Sequence, residues 1–596
     1  MKITKSLSLL LISAKFLLAS TEKVTFKVLA INGTPTVNIN YQQYPMQPVP
    51  NKYPLYSVDV DVNEFPVNYN YIIDYGNGNA EQEEFTRQRS KEDKPLNEFF
   101  GRSITVKEHP LLPKAFEEFP YAKKSKLYDD SFVASIFINC DPNQLKELYD
   151  NPKDGKINAE VIYASPYDVR TFKKAILSIS GQSTMHVPKF SYKIKNLSDE
   201  NKKELYGRSS IKLRAEHMDP TFVREKIYTD ILNTLGVPTA QNTYARLYIN
   251  GAPIGFFDLS DTVNNNRYLR NTFNNGEKYK NVNNNPNPLY QANSVSGEGL
   301  YSDFGFYGDD ATQDKYSVYV YKGDDKVKTK YEHIANDLIP LFKEIESYKF
   351  GEVNGISIDI DSFLKYMAME FLGGAVDNFW VTPGNYYLFK DLEKNKWFFH
   401  DVDFHYSFGV SWDAKKMLNT PLSEFPPDME DGNKEKSRPL LDAIRSHPNE
   451  EAKFKSIFER LLKTSFHPNA LFPRLESLTN LIREDAHWDF TLEKQNPNPT
   501  EESGILYVVD DFEKESTSEK ENEAYAKGVP VRYFIKNKAL LTAQELGVTI
   551  PFEYESDLGF YENLSMAKED EKSGSIKSLS WSLLSIIIVS LVTLLL

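Results

Sequence analysis

Alternation of apolar and polar positions characterises the first hundred residues of the chain. The runs KVTFKVLA, TVNINY, LYSVDVDV and YNYIIDY place apolar side chains at every second position, and turn-forming residues separate the runs at short intervals. A period of two is typical of strands that bury one face, so these runs predict antiparallel strands. We expect a small antiparallel β-sandwich over residues 21–105, without a cluster of candidate catalytic side chains.

The pattern becomes a mixture of strands and helices after a loop rich in proline and lysine at 106–130. A strand is predicted over 210–215, and a helix follows it. Asp219 is expected to cap this helix, Pro220 to occupy its first turn and Gly236 to end it. One face of the helix is apolar at four-residue spacing, at Val223, Ile227, Ile231 and Leu235.

Two hairpins are predicted in the remaining chain. The first has an Asn250-Gly251 turn, the strongest short-range hairpin signal. Residues 264–332 are rich in Asn, Gly, Tyr and Asp and have little periodicity, so we expect a long insertion there. Helical patterns then dominate to about residue 550, and the overall fold class is α+β.

The second hairpin interrupts those helices and is formed by the runs YYLFK and KWFFH. With a turn at 392–394, Lys390 faces Lys396, Tyr386 faces His400 and Asn385 faces Asp401. Directly opposed residues have Cα atoms about 4.5–5.5 Å apart. We therefore expect the amide of Asn385 and the carboxylate of Asp401 to meet at one end of this hairpin, with Tyr386 and Trp397 in the core.

Length, charge and cysteine content narrow the class of protein. The 596 residues are too many for one ordinary core and favour two or three domains. The net charge is −14, and it becomes −18 once the predicted terminal signals are removed, which makes a nucleic acid an unlikely partner. Cys140 is the only cysteine, so neither an intrachain disulfide nor a cysteine zinc cluster can form.

Both termini resemble targeting signals. Residues 1–20 have a basic start, an apolar stretch and a small-residue end, which predicts a secretory signal peptide. After a linker at 551–573, the uncharged tail at 574–596 predicts a removed glycosylphosphatidylinositol (GPI) attachment signal, with Ser573 as the attachment residue. A single membrane-spanning tail is the alternative. We expect transit through the endoplasmic reticulum and a GPI-anchored protein on the extracellular face of the cell membrane.

Three sequons agree with that route, and they predict glycosylation at Asn32, Asn196 and Asn563.

Carboxylates and an amide surround the second hairpin and form a candidate metal site. Asp377 precedes it, Asn385 begins it, and Asp401 and Asp403 follow it. Like charges so close raise one another's pKa unless a cation lies between them. Oxygen ligands of this kind suit Mg²⁺, which often also binds substrate phosphates. Asp403 alternates with Asp401 and could instead point to the other side of the strand.

Histidines near this hairpin, His400 and His405, could be further ligands, but histidines in such positions are more often packed or solvated.

A strand cation and a helix acid complete the parts that a kinase site needs. Lys212 and Arg214 share one face of the predicted strand, and Glu225 lies on the following helix. A kinase requires a strand cation paired to a helix Glu, an acid for the hydroxyl proton, and Asp and Asn on metal ions. We therefore predict nucleotide binding by these three residues. A surface ion pair is the alternative for the two cations.

These segments together resemble the CotH family of atypical kinases. The resemblance is carried by IKLRAEHMDPTFVREKIYTDILNTLGVP, by ARLYINGAPIGFFDL and by VDNFW…NYYLF…WFFHDVDFHYSFG, and it covers roughly residues 130–550. It implies a two-lobed, kinase-like domain, with Asp377 as the catalytic-loop acid, Asp401 as the metal-binding Asp and Asn385 as a further ligand. The signal peptide, β-domain and GPI tail resemble the cell-surface CotH proteins of mucoralean fungi, some of which act as invasins.

Departures from an ordinary protein kinase are also visible. No His-Arg precedes Asp377, the spacing from Asp377 to Asn385 is eight residues, and no GxGxxG loop is present. Invasin members carry an exposed Gly-, Gln- and Asn-rich stretch after the first Asp, whereas this chain has VTPG at 381–384.

Two classes of function follow. One is a kinase of the secretory route that uses ATP and Mg²⁺ to phosphorylate exported coat or wall proteins. The other is a catalytically silent adhesin that binds a host or cell-wall receptor.

Overall fold

A computed structural model describes residues 21–181, 185–410, 413–429, 433–500, 506–520 and 528–568. The predicted signal peptide, the tail at 574–596 and Ser573 lie outside these residues. The chain divides into two compact units, one that runs to Thr105 and includes Ile162–Thr171, and one that contains Val106–Val161 and the chain from Phe172 onward. Among the described helices, none is both long enough and apolar enough to cross a bilayer.

The first unit is built from short strands. They are β1 (Glu22–Leu29), β2 (Thr34–Ile39), β3 (Gln42–Pro45), β4 (Gln47–Pro48), β5 (Leu55–Val62), β6 (Val67–Gly76), β7 (Asn79–Gln82), β8 (Arg87–Arg89) and β9 (Glu98–Phe99). One sheet has the order β4-β5-β1-β9, and the other has β3-β2-β6-β7 with β8 also on β6.

The predicted sandwich is confirmed by the packing of these two sheets. Phe26 and Val60 from the first sheet join Val37 and Tyr71 from the second sheet in one buried cluster. Neighbouring strands are antiparallel except for the short parallel contact of β1 with β9. The alternating pattern in the sequence therefore reports the inner faces of two sheets correctly.

The later chain combines strands and helices. The strands are β10 (Val133–Cys140), β11 (Ile157–Ala164), β12 (Val169–Ser180), β13 (Ser191–Lys195), β14 (Ser210–Arg214), β15 (Asn242–Ile249), β16 (Ala252–Asp261), β17 (Leu289–Ala292), β18 (Ser294–Val295), β19 (Leu300–Tyr301), β20 (Tyr319–Tyr321), β21 (Tyr386–Asp391) and β22 (Lys396–Asp401). The helices are α1 (Pro142–Asp150), α2 (Arg224–Leu235), α3 (Asn266–Phe273), α4 (Lys330–His333), α5 (Ile339–Lys349), α6 (Ile360–Gly373), α7 (Ala414–Asn419), α8 (Pro439–Arg445), α9 (Pro448–Lys463), α10 (Pro468–Phe490), α11 (Val509–Thr517) and α12 (Val531–Leu546). The α+β fold class is confirmed.

Seven of these strands close into a barrel with the order β10-β11-β12-β13-β14-β16-β15. The parallel pairing of β10 with β15 closes it. The hairpin of β15 and β16 turns at Asn250 and Gly251 as predicted, with φ angles of 50° and 78° that suit a tight hairpin turn. The barrel places β14, with its two cations, beside α2.

The helix α2 begins later than the sequence suggested. Its first residue is Arg224, so the prediction that Pro220 lies in its first turn is wrong. Val223 and not Asp219 occupies the N-cap position, but the carboxylate of Asp219 accepts from the backbone N–H of Arg224 at 3.1 Å and so caps the helix from outside it. The same carboxylate accepts hydrogen bonds from the backbone and hydroxyl of Thr221, which hold a turn before the helix. Gly236 ends the helix in the left-handed conformation as predicted, and a Cβ there would clash with the carbonyl oxygen of Glu117.

The predicted insertion contributes structure to the second hairpin. Strand β17 pairs with β21, which gives a four-stranded sheet with the order β20-β17-β21-β22. Helix α3 packs Phe273 against Phe389 and Phe398 of that sheet. The expectation of a largely irregular insertion is therefore wrong in part, because aromatic residues spaced without period still bury against the hairpin.

The register of the second hairpin differs from the prediction by one residue. Tyr386 lies opposite Asp401, and Lys390 lies opposite Trp397. The turn contains four residues, because Asp391 accepts hydrogen bonds from the backbone of Glu393 and Lys394 and starts the turn at the strand end. The three pairings given by a turn at 392–394 are therefore wrong.

Candidate functional site

Asp377 and Asn385 lie at the two ends of the loop between α6 and β21. Gly374 ends α6 with a φ of 58°, and a Cβ there would approach Phe534 to 2.5 Å, so glycine suits this turn. The amide of Asn385 donates to the backbone oxygen of Asp377 at 2.8 Å and to its carboxylate at 2.9 Å. Two of the predicted site residues, Asp377 and Asn385, are therefore in direct contact, whereas the predicted pairing of Asn385 with Asp401 is wrong.

The pKa of the Asp377 carboxyl group lies close to neutral pH. Burial raises its pKa to about 7, and the charge of Asp403 adds to this effect. The hydrogen bond from Asn385 acts in the opposite direction. A partly exposed carboxylate with a pKa near the working pH suits general base chemistry.

Asp403 lies where a cation balances its charge. Its φ of 73° is left-handed, which ends the extended conformation of β22 and turns the side chain away from the alternation of the strand. Its carboxylate accepts hydrogen bonds from Arg214 at 2.5 Å and from Nδ1 of His405 at 2.6 Å. Although burial opposes ionisation, Arg214 and His405 hold the pKa of Asp403 well below its usual range.

Arg214 and Glu225 approach the same carboxylate from β14 and α2. Arg214 donates to Asp403, and Glu225 accepts from the backbone N–H of Phe404 at 2.7 Å. The charge of Glu225 still favours the charged form of Arg214. Burial raises the pKa of Glu225 to about 7. The strand cation, the helix acid and the segment after β22 thus form one connected group.

His405 also belongs to this group. The sequence analysis ranked it below the carboxylates as a candidate ligand. Single ligand atoms of Glu225, Asp403 and His405 all lie within 4.8 Å of one another. The D-x-D-x-H spacing of Asp401, Asp403 and His405 was the available signal. Because Asp403 has a left-handed φ, the usual strand alternation did not apply to it.

Side-chain oxygens that accept no hydrogen bond show whether the site suits Mg²⁺. Asp377, Asn385 and Asp403 each have one side-chain oxygen that accepts no hydrogen bond from the described residues. The carboxylate oxygen of Asp403 and the amide oxygen of Asn385 are hard ligands of the type that Mg²⁺ prefers, and the oxygen of Asp377 is left to a substrate hydroxyl. The donor set therefore fits Mg²⁺, with Asp403 as the ionised member.

Asp401 lies in a different environment from Asp403. It is fully buried at the end of β22, where one carboxylate oxygen accepts from the amide of Asn378 at 2.9 Å. Among the described residues, no donor reaches the other oxygen of Asp401 or one oxygen of Glu370 on α6. The carboxyl groups of Asp401 and Glu370 shift each other's pKa through a hydrogen bond between them. Two carboxyl groups can share a hydrogen bond only when one of them carries a proton.

Burial raises the pKa of Asp401 to about 8 and that of Glu370 well above its usual range. Glu370 also accepts from the backbone N–H of Trp380 at 2.7 Å and so fixes the loop after Asp377. Asp401, Asn378 and Glu370 therefore form a buried group behind the loop. Sequence reasoning missed Asn378 and Glu370, since one is next to Asp377 and the other lies in an apolar helix.

Lys212 and His400 complete the predicted set of residues. Lys212 shares the face of β14 with Arg214, and burial together with the charge of Arg214 lowers its pKa. His400 is buried and bonds the Tyr268 hydroxyl at 2.6 Å and the Pro238 oxygen at 3.1 Å. Burial lowers the pKa of His400 to about 4, so it packs as a neutral core residue.

Tyr386 and Trp397 are buried as predicted.

The three predicted glycosylation residues all lie in described parts of the chain. Asn32 and Asn196 are exposed, whereas Asn563 is half-buried. Exposure of the first two allows a glycan, but glycosylation itself stays a prediction.

With the fold and the site described, comparison with known families gives the class of protein. The model of the family described as CotH kinase protein matches residues 177–502. This match spans β14, α2, the loop at Asp377 and the second hairpin. The chain belongs to this family, as its resemblance in sequence predicted.

Curated relatives come from the fungus Rhizopus delemar. The chain is 25% identical to the protein named Invasin CotH3 over 562 residues, which cover 91% of this chain and 88% of that protein. It is 26% identical to Invasin CotH2 over 82% of this chain and 79% of that protein. It is also 25% identical to Spore coat protein homolog 1, over 80% and 74% of the two chains.

Proposed function

We propose that this protein is an ATP- and Mg²⁺-dependent protein kinase that phosphorylates exported coat or wall proteins in the secretory route. The observation that carries this proposal is the hydrogen-bonded pair of Asp377 and Asn385, whose acid is affected by the charge of Asp403 in the group with Arg214 and Glu225. These are the parts that phosphoryl transfer requires, namely an acid at the hydroxyl and oxygen ligands for a metal that bridges phosphates.

Asp403 and Asn385 are the residues that would hold Mg²⁺, which when bound neutralises the charge of the phosphates. Asp401 is less suited to this role than Asp403, because it is fully buried and one of its oxygens already accepts from the amide of Asn378. The metal-binding Asp implied by the family resemblance is therefore assigned to Asp403 in this proposal.

Asp377 would act on the acceptor hydroxyl. In the reaction the hydroxyl oxygen forms a bond to the γ-phosphorus of ATP, the bond from that phosphorus to the bridging oxygen breaks, and ADP leaves. Asp377 accepts the hydroxyl proton, and its pKa of about 7 matches that task. Asn385 orients Asp377 through its two hydrogen bonds.

The test is transfer of labelled γ-phosphate to serine-rich acceptor peptides and to the protein itself, with and without Mg²⁺. We expect transfer that requires Mg²⁺ and that Asp377→Asn removes. A matched control is Asp59→Asn, an exposed carboxylate of the first unit that accepts a hydrogen bond from Thr25. A folded wild-type protein that neither transfers phosphate nor binds Mg²⁺-ATP in calorimetry would overturn the proposal.

A second candidate function is adhesion, which the invasin names of two relatives favour. In that case the protein keeps the fold and binds a host or cell-wall receptor. Binding of the purified protein to such surfaces, unchanged by Asp377→Asn and by removal of Mg²⁺, would support adhesion. Both functions are compatible if phosphorylation occurs in the secretory lumen.

Surface anchoring is part of the same proposal. The relatives named as invasins and as a spore coat homologue favour a surface-associated protein. The uncharged tail at 574–596 favours a GPI anchor. We expect a GPI-specific phospholipase C to release the protein from intact cells. A mature chain that stays membrane-bound and still contains the tail would contradict the anchor.

A further inference from the structure

Two lysines face each other across neighbouring strands of the barrel. Lys193 on β13 lies directly opposite Lys212 on β14 in the antiparallel pair. Side chains at such positions have Cβ atoms about 4.5–5.5 Å apart, and like charges there destabilise the sheet. Both lysines are only partly exposed, so water screens this repulsion incompletely. The pair therefore costs stability in the folded protein, and its presence calls for another explanation.

Three more lysines act electrostatically on Lys193 from separate parts of the chain. The charges of Lys195, Lys322 and Lys156, together with that of Lys212 and with burial, lower the pKa of Lys193 to about 8. Lys195 follows on β13, Lys322 follows β20 and Lys156 precedes β11. Their convergence is a product of the tertiary fold.

In the described residues, the carboxylates of Asp403, Glu225 and Glu216 favour the charged form of Lys212 from beyond ion-pair distance. None of the five forms an ion pair there, and Lys193 donates only to the amide oxygen of Asn264, at 2.9 Å. The chain as a whole contains 84 acidic and 70 basic residues. A cluster of cations without an ion-paired acid, in a chain that has acids in excess, is suited to an anionic ligand.

The cluster adjoins the candidate active site. Lys212 is two residues from Arg214 on the same face of β14, and the charges of Asp403 and Glu225 favour its charged form. The small side chains of Ser178 and Ser260 flank the two lysines in the same cross-strand row. An anion held by this row would therefore lie next to the residues that act on phosphate.

We propose that Lys193 and Lys212 form a binding site for a chain of phosphate groups, and that Lys156, Lys195 and Lys322 extend its positive surface. The identification of this ligand as the triphosphate of ATP rests on the proposed function. The phosphate chemistry itself rests on the lysines, and an inorganic phosphate chain would share it. Charge-assisted contacts of ammonium groups with phosphate oxygens supply the binding energy.

Calorimetric titration of the full chain with tripolyphosphate, ATP and adenosine, without Mg²⁺, tests this site. Lys193→Met should weaken binding of tripolyphosphate and ATP about tenfold or more, which is the loss of one charge-assisted contact. Lys193→Arg keeps the charge and should restore most of the affinity. The matched control is Lys173→Met, because Lys173 is exposed on β12 and paired with Glu200 at 3.0 Å. Lys173→Met should leave the affinities for tripolyphosphate and ATP unchanged.

Thermal unfolding of the same variants separates binding from a structural role. Lys193→Met removes the repulsion of Lys212 and should keep or raise the melting temperature. Weaker binding with a lower melting temperature would indicate a structural lysine and overturn the site, as would equal tripolyphosphate binding by wild type and variant. Tripolyphosphate binding that depends on Lys193, in a protein that transfers no phosphate, would support the site and reject the kinase proposal alone.

Discussion

Two aspartates separated by a single residue have opposite electrostatic environments in this protein. Asp403 accepts a hydrogen bond from Arg214, whereas Asp401 is fully buried beside the carboxyl group of Glu370. A cation stabilises the ionised form of the first, and burial stabilises the neutral form of the second. A metal ligand must be ionised to bind well, so the two residues should respond differently to the same substitution.

The first prediction compares Asp403→Asn with Asp401→Asn. Asp403→Asn should weaken Mg²⁺-dependent ATP binding at pH 7 by about tenfold or more, since it removes a charged ligand and leaves Arg214 unpaired. Asp401→Asn should leave that binding unchanged, because an amide replaces a protonated carboxyl group of the same shape. Calorimetry at matched pH measures both. Loss of binding only in Asp401→Asn would reverse the assignment of the metal ligand.

The second prediction concerns Asp377→Asn. This variant should bind Mg²⁺-ATP like the wild type, because the hydroxyl on which Asp377 acts is absent from the nucleotide complex. Its turnover should fall about 10²–10⁴-fold, the usual cost of losing a general base. The wild-type rate should rise with pH through about 7 as Asp377 loses its proton. A rate independent of pH between 6 and 8 would contradict this role.

At the scale of elements, the sequence predicted which segments form strands and helices better than it predicted their alignment. The hairpin of β21 and β22 was correctly located, but its register was wrong by one residue because Asp391 starts a four-residue turn. Such an error moves every opposed pair, and it placed Asn385 opposite Asp401. The pairing of Asn385 with Asp377 depends on the loop after α6, whose conformation has no periodic signal.

For helix α2, the sequence predicted which face is apolar but not how much of the helix is buried. Its apolar face was predicted correctly, yet every one of its residues is buried, including Arg224, Lys226 and Asp230. The apolar periodicity gives no reason for these charged residues to be buried. They are buried because ion pairs from distant segments reach them, such as Glu515 of α11 on Arg224 and Arg474 of α10 on Asp230.

Arg224 connects α2 to the segment that carries Asp403 and His405. It bonds the carboxylate of Asp219 at 2.5 Å and that of Glu515 at 2.8 Å, and it reaches the backbone oxygen of Phe408 at 3.4 Å. Because Asp403 lies in the segment just before Phe408, the position of α2 and that of the metal-binding side of the site are coupled.

The third prediction follows from this contact. Arg224→Met leaves Asp219 and Glu515 buried without their cation and should destabilise the protein by about 3–5 kcal/mol. Urea unfolding measures the change, and Lys173→Met is the control at an exposed ion pair. A change below about 1 kcal/mol would show that the two carboxylates find other partners and that Arg224 does not hold α2 in place.

At the scale of the whole molecule, buried carboxyl groups and buried lysines give opposite dependences of stability on pH. Burial raises the pKa of Asp401 to about 8 and lowers that of Lys538 to about 7. Lys538 is buried against the ring of Phe371 and donates to the backbone oxygen of Met417 at 2.8 Å. Neither shift is visible in the sequence, since each depends on segments far away along the chain.

The fourth prediction separates these effects with two variants in the absence of Mg²⁺. Because Asp401 has a raised pKa in the folded state, its contribution is present at low pH and is lost as pH rises through about 8. The stability of the wild type relative to Asp401→Asn should therefore fall between pH 6 and pH 9. Lys538 has a lowered pKa, so the stability relative to Lys538→Met should rise over the same range.

Urea unfolding of the wild type, Asp401→Asn and Lys538→Met at several pH values measures both differences in stability. Groups that titrate in the same way in the wild type and in the variant contribute equally to both proteins, so their contributions cancel in each difference. A flat difference for Asp401→Asn would mean that Asp401 is ionised throughout this range. In that case Asp401 would again satisfy the charge requirement of a metal ligand, and the assignment of that role to Asp403 would rest on calorimetry alone.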